Sequence, residues 1–232
     1  MTNIWIINSA VSPARGLSVF DEPTRVVQTI KTLDSIDKYC PNDHKFIFDS
    51  SPSEPDRKLL SYIVDRENTT FVYLGQLPEV KKFSLSGQRS KAETISFNAF
   101  LNWFAKYEHD LETPKRIYKL SGRYELTDDF VPYDPSYDGS FVFASSEESW
   151  MSKDKIDSSG ASKLFKLRLW HMDYSLLDTF HQSLNKIYTD CEEHGIDIEH
   201  SYWKNLHNHP VVEVDKIGVK GLIGPNGAAV ED

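Results

Sequence analysis

The sequence predicts an α/β protein with a mostly parallel central sheet flanked by helices. Three observations carry that reading: short apolar runs without interruption, helix-period segments between them, and regular alternation of the two through the first half of the chain. Strands covered on both faces read as unbroken apolar runs. Ile4-Trp5-Ile6-Ile7 is the first of these. Asn8 to Pro23 reads as a loop, punctuated by Pro13, Gly16 and Pro23. From Thr24 to Tyr39, Val26, Val27, Ile30, Leu33 and Ile36 recur on one helical face, and Pro41-Asn42-Asp43 ends the segment. Lys45-Phe46-Ile47-Phe48 is a second buried strand, cut off by Asp49-Ser50-Ser51-Pro52. A short helix is expected over 55–66, a third strand over 70–74, a long helix over 90–107 and a fourth strand over 116–120.

The second half reads differently. Ser140 to Ala144 is a strand and Ser145 to Gly160 a polar, mobile loop. Leu164 to Trp170 alternates like a half-exposed strand. Ser175 to His194 is an amphipathic helix ending near Gly195, and 198–206 is another. Val211 to Val219 is strand-like, and Gly221, Gly224, Pro225 and Gly227 mark a loop. There is no repeat, low-complexity tract or linker, so a single domain over 1–232 is expected.

Composition narrows the function classes. The chain has 232 residues, 39% hydrophobic and 26% charged, enough for one sizeable core. A net charge of −9 argues against a nucleic-acid partner, which requires a basic surface. Cys40 and Cys191 fit neither a metal pattern nor a disulfide framework and point to a reducing compartment. No apolar run approaches membrane-spanning length, and Met1 to Trp5 lacks a basic leader, so a cytoplasmic protein is expected.

Chemistry concentrates after the fourth strand. Arg116-Ile117-Tyr118-Lys119-Leu120 ends in Ser121-Gly122-Arg123-Tyr124, followed by Glu125, Asp128 and Asp129. In open α/β sheets, ligands bind at the carboxyl ends of strands. Arginine beside carboxylates leaves two options: phosphates held directly, or through a metal. Ser86-Gly87-Gln88-Arg89-Ser90-Lys91 opens a helix, where small residues, the helix N-terminus and two cations favour an anion; a solvated basic helix start is the plainer reading. Glu93 is expected to form a capping arrangement with Ser90. Asp197 and Glu199 open a late helix, with Asp197 the better N-cap. His194, His200, His207 and His209 match no zinc spacing. Trp150, Trp170 and Trp203 are candidates for stacking on sugar faces, with core packing the better expectation for two of them.

Gln28 to Ile36, Lys119-Leu120-Ser121-Gly122-Arg123-Tyr124, Asp197-Ile198-Glu199-His200 and Ile217-Gly218-Val219-Lys220-Gly221, set in this element order, resemble the nucleotide-diphosphosugar transferase (GT-A) family, and within it the small glycosyltransferase-like proteins of bacteria and their viruses. The resemblance implies a Rossmann-like GT-A domain with a nucleotide-sugar-binding half (1–130) and a smaller acceptor-side half (131–232). It implies sugar transfer from a nucleotide-diphosphate sugar, a UDP-sugar ahead of a GDP-sugar, to a glycan or small-molecule hydroxyl, with inversion. Asn8, Ser9, Ala10, Arg25, Asp49, Ser50 and Ser51 would then line the nucleotide pocket, although Asp49 and Ser51 also suit a local cap or turn. Arg89, Lys91, Ser121, Gly122 and Tyr124 would contact the donor, with Glu199 as general base. This family usually has an Asp-x-Asp motif holding Mn2+ or Mg2+ where this chain has Ser121-Gly122-Arg123. Either Arg123 replaces the metal charge, or Glu125, Asp128 or Asp129 recruit the metal downstream, with a late histidine such as His207 completing the site. Two other classes remain open. A sugar nucleotidyltransferase needs a glycine-rich basic loop after the first strand, of which Arg15-Gly16 is a feeble version. A non-catalytic nucleotide- or carbohydrate-binding protein would account for the missing metal motif.

Overall fold

The computed structural model describes residues 3–107 and 113–232; Met1 and Thr2, part of the stretch tested for a leader, lie outside them. Strand β1 (Ile4–Ser9) pairs in parallel with β2 (His44–Asp49) on one side and β4 (Arg116–Ser121) on the other, and β3 (Thr69–Tyr73) extends the sheet beyond β2. Beyond β4 lie β9 (Leu169–Asp173), β6 (Phe141–Ala144) and β10 (Val211–Val214). The seven strands run in the order β10-β6-β9-β4-β1-β2-β3, and β9 alone opposes the others. The sheet is therefore mostly parallel, and strands from both halves of the chain share it.

Side-chain alternation sends neighbours in one strand to opposite faces. Ile4 and Ile6 join one core with Phe46, Phe48, Phe97, Phe100 and Trp170. Trp5 and Ile7 join a second with Val26, Leu33, Ile36, Ile47 and Leu120. Helices α4 (Arg89–Phe104), α6 (Leu177–Thr189) and α7 (Ile198–Leu206) pack on the first face, and α1 (Glu22–Tyr39) and α2 (Arg57–Val64) cover the second. Asp21 caps α1 by accepting the Thr24 N–H at 3.0 Å, and Asp56 caps α2 through Lys58 N–H at 2.7 Å. Among the described residues, no helix is long and apolar enough to cross a membrane.

Several expectations need correction. Helix α3 (Pro78–Ser86) stands where none is expected, although its signature is present: proline opens it and Gly87 closes it at φ +74°. The polar segment 145–160 is built from strand β7 (Glu147–Glu148) and short helix α5 (Lys153–Ser159), with Gly160 ending the helix at φ +73°. Strand β7 pairs with β8 (Lys163–Leu164). The half-exposed strand expected from 164 begins only at Leu169, and Leu169, Trp170, His171 and Met172 are all buried because β9 lies between β4 and β6. The expected strand 211–219 breaks in two. Gly218 turns the chain at φ +81°, where a Cβ would lie 2.2 Å from Phe130 N. After it, β11 (Val219–Leu222) pairs with β5 (Tyr124–Leu126) and β12 (Ala229–Glu231) in a small antiparallel sheet. That sheet flanks the end of β4. A Cβ on Gly221 would sit 2.5 Å from Arg123 O, so glycine permits the close approach.

Candidate functional site

Chain order and spatial order diverge at β1. The chain moves outward through β2 and β3, then returns to β4 on the other side of β1. Loops leave in opposite directions at such a switch point, and a crevice opens at the carboxyl ends of the strands. Two connected cavities occupy it here, of about 180 Å³ and about 700 Å³. Arg89, Glu93, Ser121, Arg123 and Pro225 border both.

The smaller cavity is lined by Asn8, Ser9, Ala10, Arg25, Ser50 and Arg123, among others. Asp49 shapes it from below. Its fully buried carboxylate accepts the Val11 N–H at 2.8 Å and the Ser51 N–H at 2.9 Å, and burial pushes its pKa above the usual carboxylate range. Ser51 Oγ accepts the Ser12 N–H at 2.8 Å, and Ser50 N donates to Ser9 O at 2.9 Å. The loops after β1 and β2 are thus tied together. Buried Arg25 donates from Nε to Ala10 O at 3.1 Å; burial, and then the neighbouring Arg123 charge, lower its pKa to about 9. The turn Ser121-Gly122-Arg123 is held by Gly122 N donating to Asn8 O at 2.9 Å and Thr29 Oγ1 donating to Gly122 O at 3.3 Å.

Neither Arg25 nor Arg123 has an acid partner within ion-pair distance among the described residues. Asn8 Oδ1, Ser9 Oγ and Arg123 Nε are all buried without a hydrogen-bond partner, and all three residues line this cavity. Native structures carry few such atoms, so their concentration here calls for a ligand. Two unpaired guanidinium groups beside them suit an anion with several oxygens, such as a diphosphate.

The larger cavity lies between β4, α4, α7, the strap around β8 and the small sheet. Lys119, 1% exposed, projects from β4 and donates from Nζ to Leu167 O at 2.8 Å and Ser121 Oγ at 3.1 Å. It also pairs with Glu93 of α4 at 2.8 Å. Glu93 is therefore a counter-ion for a buried lysine, not a cap for Ser90; Ser90 Oγ instead accepts the Ile198 N–H at 3.2 Å. Asp197 caps α7 by accepting the His200 N–H at 3.0 Å. Glu199, in the first turn of α7, shares the cavity. Burial, then the Asp197 and Glu93 charges, raise its carboxyl to about 7, with Lys119 opposing. An acid poised near neutral pH in a cleft is suited to accept a proton.

The remaining sequence candidates separate. Asp49 and Ser51 lie beneath the cavity, not on its surface, because the loop N–H groups consume their acceptors. Tyr124 borders the larger cavity while its ring is buried in the α1-side core. Arg89 borders both cavities and donates to Leu17 O at 2.6 Å. Lys91 turns away to Glu192 at 3.4 Å.

Glu125, Asp128 and His207 do not converge. Glu125 lies on β5 opposite Lys220 of β11, exposed Asp128 pairs with Lys38 at 2.8 Å and Tyr39 at 2.5 Å, and His207 stacks on Trp203 at the end of α7. Asp129 pairs with Lys216 at 3.2 Å. Among the described residues, no three His, Cys, Asp or Glu side chains are grouped to hold a metal ion. The donor set at the strand end is hydroxyl, glycine and guanidinium, which does not fit a divalent cation. Arg15 is exposed and borders neither cavity, leaving the loop after β1 without its expected cation at the site.

The sequence reading kept Lys119 inside the fourth strand and gave it no part in the site, because no residue close to it in sequence marks it as a buried cation. It also missed Lys166 and Arg168 on the cavity wall, where both pair with Asp232. Their spacing as alternate residues in a polar-apolar run is the available signal.

No protein-family model and no curated protein matches the sequence. Solved structures do. The galactosyltransferase LgtC, in complex with donor and acceptor sugar analogues, is 8% identical and aligns over 90% of this chain and 73% of its own, with a TM-score of 0.56. The mannosyltransferase Ktr4p from S. cerevisiae in complex with GDP is 9% identical over 90% of this chain and 67% of its own, with a TM-score of 0.52. The core-mannan synthase CmsA/Ktr4 from Aspergillus fumigatus, in its Mn/GDP form, is 9% identical over 88% of this chain and 69% of its own, with a TM-score of 0.50. The likeness is one of fold: the chain has a GT-A-like glycosyltransferase fold.

Two stability outcomes follow. Asp49→Ala leaves two buried N–H groups without an acceptor, and urea denaturation is expected to show a loss of about 3 kcal/mol. Burial raises the folded Glu199 carboxyl to about 7, above its ordinary 4.5, so its contribution to stability is full below pH 4.5 and is lost as pH rises through 7. Glu199→Gln should therefore match wild-type Tm at pH 4 and exceed it at pH 8.

Proposed function

We propose that this protein is a glycosyltransferase that moves a sugar from a nucleotide-diphosphate sugar to an acceptor hydroxyl, with inversion. The observation that carries the reading is Arg123. Where the resembling family places metal-binding carboxylates, this chain places a guanidinium whose Nε is buried and unpartnered, beside a second arginine without an acid partner. The GT-A-like fold supports the same assignment.

In the proposed step, Glu199 accepts the proton of the acceptor hydroxyl. The acceptor oxygen forms its bond to the anomeric carbon while the bond from that carbon to the diphosphate oxygen breaks. The departing electron pair rests on the diphosphate, whose charge Arg123 and Arg25 balance. Arg89, on the shared border of the two cavities, is placed to contact the same group. Asn8, Ser9, Ala10 and Ser50 line the nucleotide side. UDP-sugars are the first donor class to test, on the sequence resemblance, and GDP-sugars the second. A metal has no assigned part in this scheme.

The test is incubation with a panel of UDP-, GDP- and CMP-sugars, with Mn2+ or with EDTA, following free nucleotide. Release of UDP or GDP that survives EDTA supports the scheme, and Arg123→Ala should lower it about 100-fold with partial recovery in Arg123→Lys. Strict dependence on Mn2+, with Arg123→Ala unaffected, would overturn the role of Arg123. Pyrophosphate-dependent formation of a nucleoside triphosphate would indicate a nucleotidyltransferase, and binding without turnover a non-catalytic protein. A second measurement concerns pH. Because Glu199 must be ionised to act as a base, turnover should fall on the acid side with a midpoint near 7, not near 4.5.

A further inference from the structure

We infer that Trp150 forms the platform of a neutral-glycan subsite, over which an acceptor chain of at least two sugars passes from the Glu199 cavity into the neighbouring groove. Calling this ligand the acceptor rests on the transferase reading; the sugar site itself does not.

Trp150 is 74% exposed, the most exposed of the large apolar side chains among the described residues. It borders the larger cavity and also a second groove of about 560 Å³ that runs past Lys91, Lys155 and Gly195. An indole on the ridge between two depressions offers one flat apolar face to whatever spans them. Water solvates that face poorly, and the apolar C–H face of a pyranose covers it well.

The backbone that carries the indole is held on both sides. The indole ring meets the edge of His200 with centroids 5.2 Å apart and planes at 80°. His200 is fully buried and clamped at both ring nitrogens: Nδ1 lies 2.6 Å from Asp197 Oδ1 and Nε2 lies 2.9 Å from Ser149 Oγ. Ser149 Oγ also accepts the Met151 N–H at 3.1 Å. The residues before and after Trp150 are therefore tied to the N-terminus of α7, the same turn that carries Glu199. A platform fixed before binding saves the entropy of ordering it.

Charge decides which ligand suits it. Arg123 and Arg89 stand on the border shared with the smaller cavity, and Arg89, which also lines the groove, donates to Leu17 O; beyond them the cations have acids: Lys119 pairs with Glu93, Lys166 with Glu147 and Asp232, Arg168 with Asp232, and Lys91 with Glu192. Lys155 is engaged by Gly195 O at 2.7 Å. A phosphate or uronate here would meet neutralised cations together with Asp197, Glu199 and Glu231 on the cavity wall. Hydroxyl groups instead donate to carboxylates, so a neutral polyol is the complementary ligand. The contrast with the smaller cavity, whose arginines lack acid partners, assigns the anionic end of the chemistry there and the neutral end here.

Trp150 can be observed directly. Trp5 and Trp170 are fully buried and Trp103 and Trp203 partly so, which leaves Trp150 as the indole most open to acrylamide quenching. The full chain would be titrated with lactose, cellobiose and maltose, with methyl glucoside as a one-sugar probe, and with glucuronate and glycerol 3-phosphate as anionic probes. A neutral disaccharide is expected to protect the quenchable emission saturably, and to bind more tightly than methyl glucoside. Trp150→Ala should weaken calorimetric binding of that disaccharide about tenfold, while Trp150→Phe retains most of it. Absence of protection by every neutral probe, unchanged affinity in Trp150→Ala, or tighter binding of an anionic probe would each overturn the inference. Protection that appears with rising protein concentration and no sugar would also overturn it, by assigning the face to a second copy of the chain. UDP binding, titrated separately into wild type and Trp150→Ala, should be equal in both; its absence from wild type would sink the donor reading and leave the sugar result standing.

Discussion

The buried carboxylate of Asp49 is the interaction on which the cleft depends. It sits at the end of β2 yet accepts N–H groups from both the loop after β1 and its own loop. Arg25 lies in its field and holds Ala10 from the other side. These contacts fix the path of residues 8–12, and that path sets one wall of the smaller cavity. The opposite wall is the turn after β4, which hangs from the same strand by the bond from Gly122 to Asn8. A loop that satisfied its own backbone groups would be free to collapse into the crevice. Held by a carboxylate below it, it keeps Asn8 and Ser9 in place while their side chains stay unsatisfied.

The cleft is asymmetric in charge, and the asymmetry follows from where acids can reach. On the smaller side, the acid nearest to Arg25 is spent on backbone groups beneath the floor, so the guanidinium groups face the cavity without ion-pair partners. On the larger side, α4, the β7 strap and the terminal strand each bring a carboxylate onto a cation. Glu199 is left over. Its proton is held because burial and neighbouring carboxylates oppose ionisation more than Lys119 favours it. Such a group costs folding stability above neutrality, as does an unpartnered Arg123 Nε. Both lie in the same crevice, which is where strain and poor satisfaction are expected when a site is built for a ligand.

Sheet architecture was legible because it rests on local pattern. The runs at 4–7, 45–48, 70–74, 116–120 and 140–144 are apolar because helices cover both faces, and all five are strands. The end of β4 and the start of α7 were legible for a similar reason: chain geometry places strand ends and helix starts at the crevice. What was not legible depends on partners distant in sequence. Lys119 read only as one residue of a strand; Glu93 and Leu167 O, distant in sequence, make it a buried cation at the cavity. Asp49 looked like a ligand contact until the loop N–H groups reached it. Asp128 looked like a metal ligand until Lys38 and Tyr39 of α1 engaged it on the outside of the fold.

The sequence by itself determined the α/β class, the order of the parallel strands along the chain and the two segments, 121–124 and 197–199, that border the crevice. Those properties follow from hydrophobic period and turn composition, which act over a few residues. Only the tertiary structure decided which polar groups face the crevice and which are consumed in holding it open. A carboxylate or guanidinium is spent or available according to what lies within about 3 Å of it, and here those neighbours come from strands, helices and loops tens of residues apart in the chain.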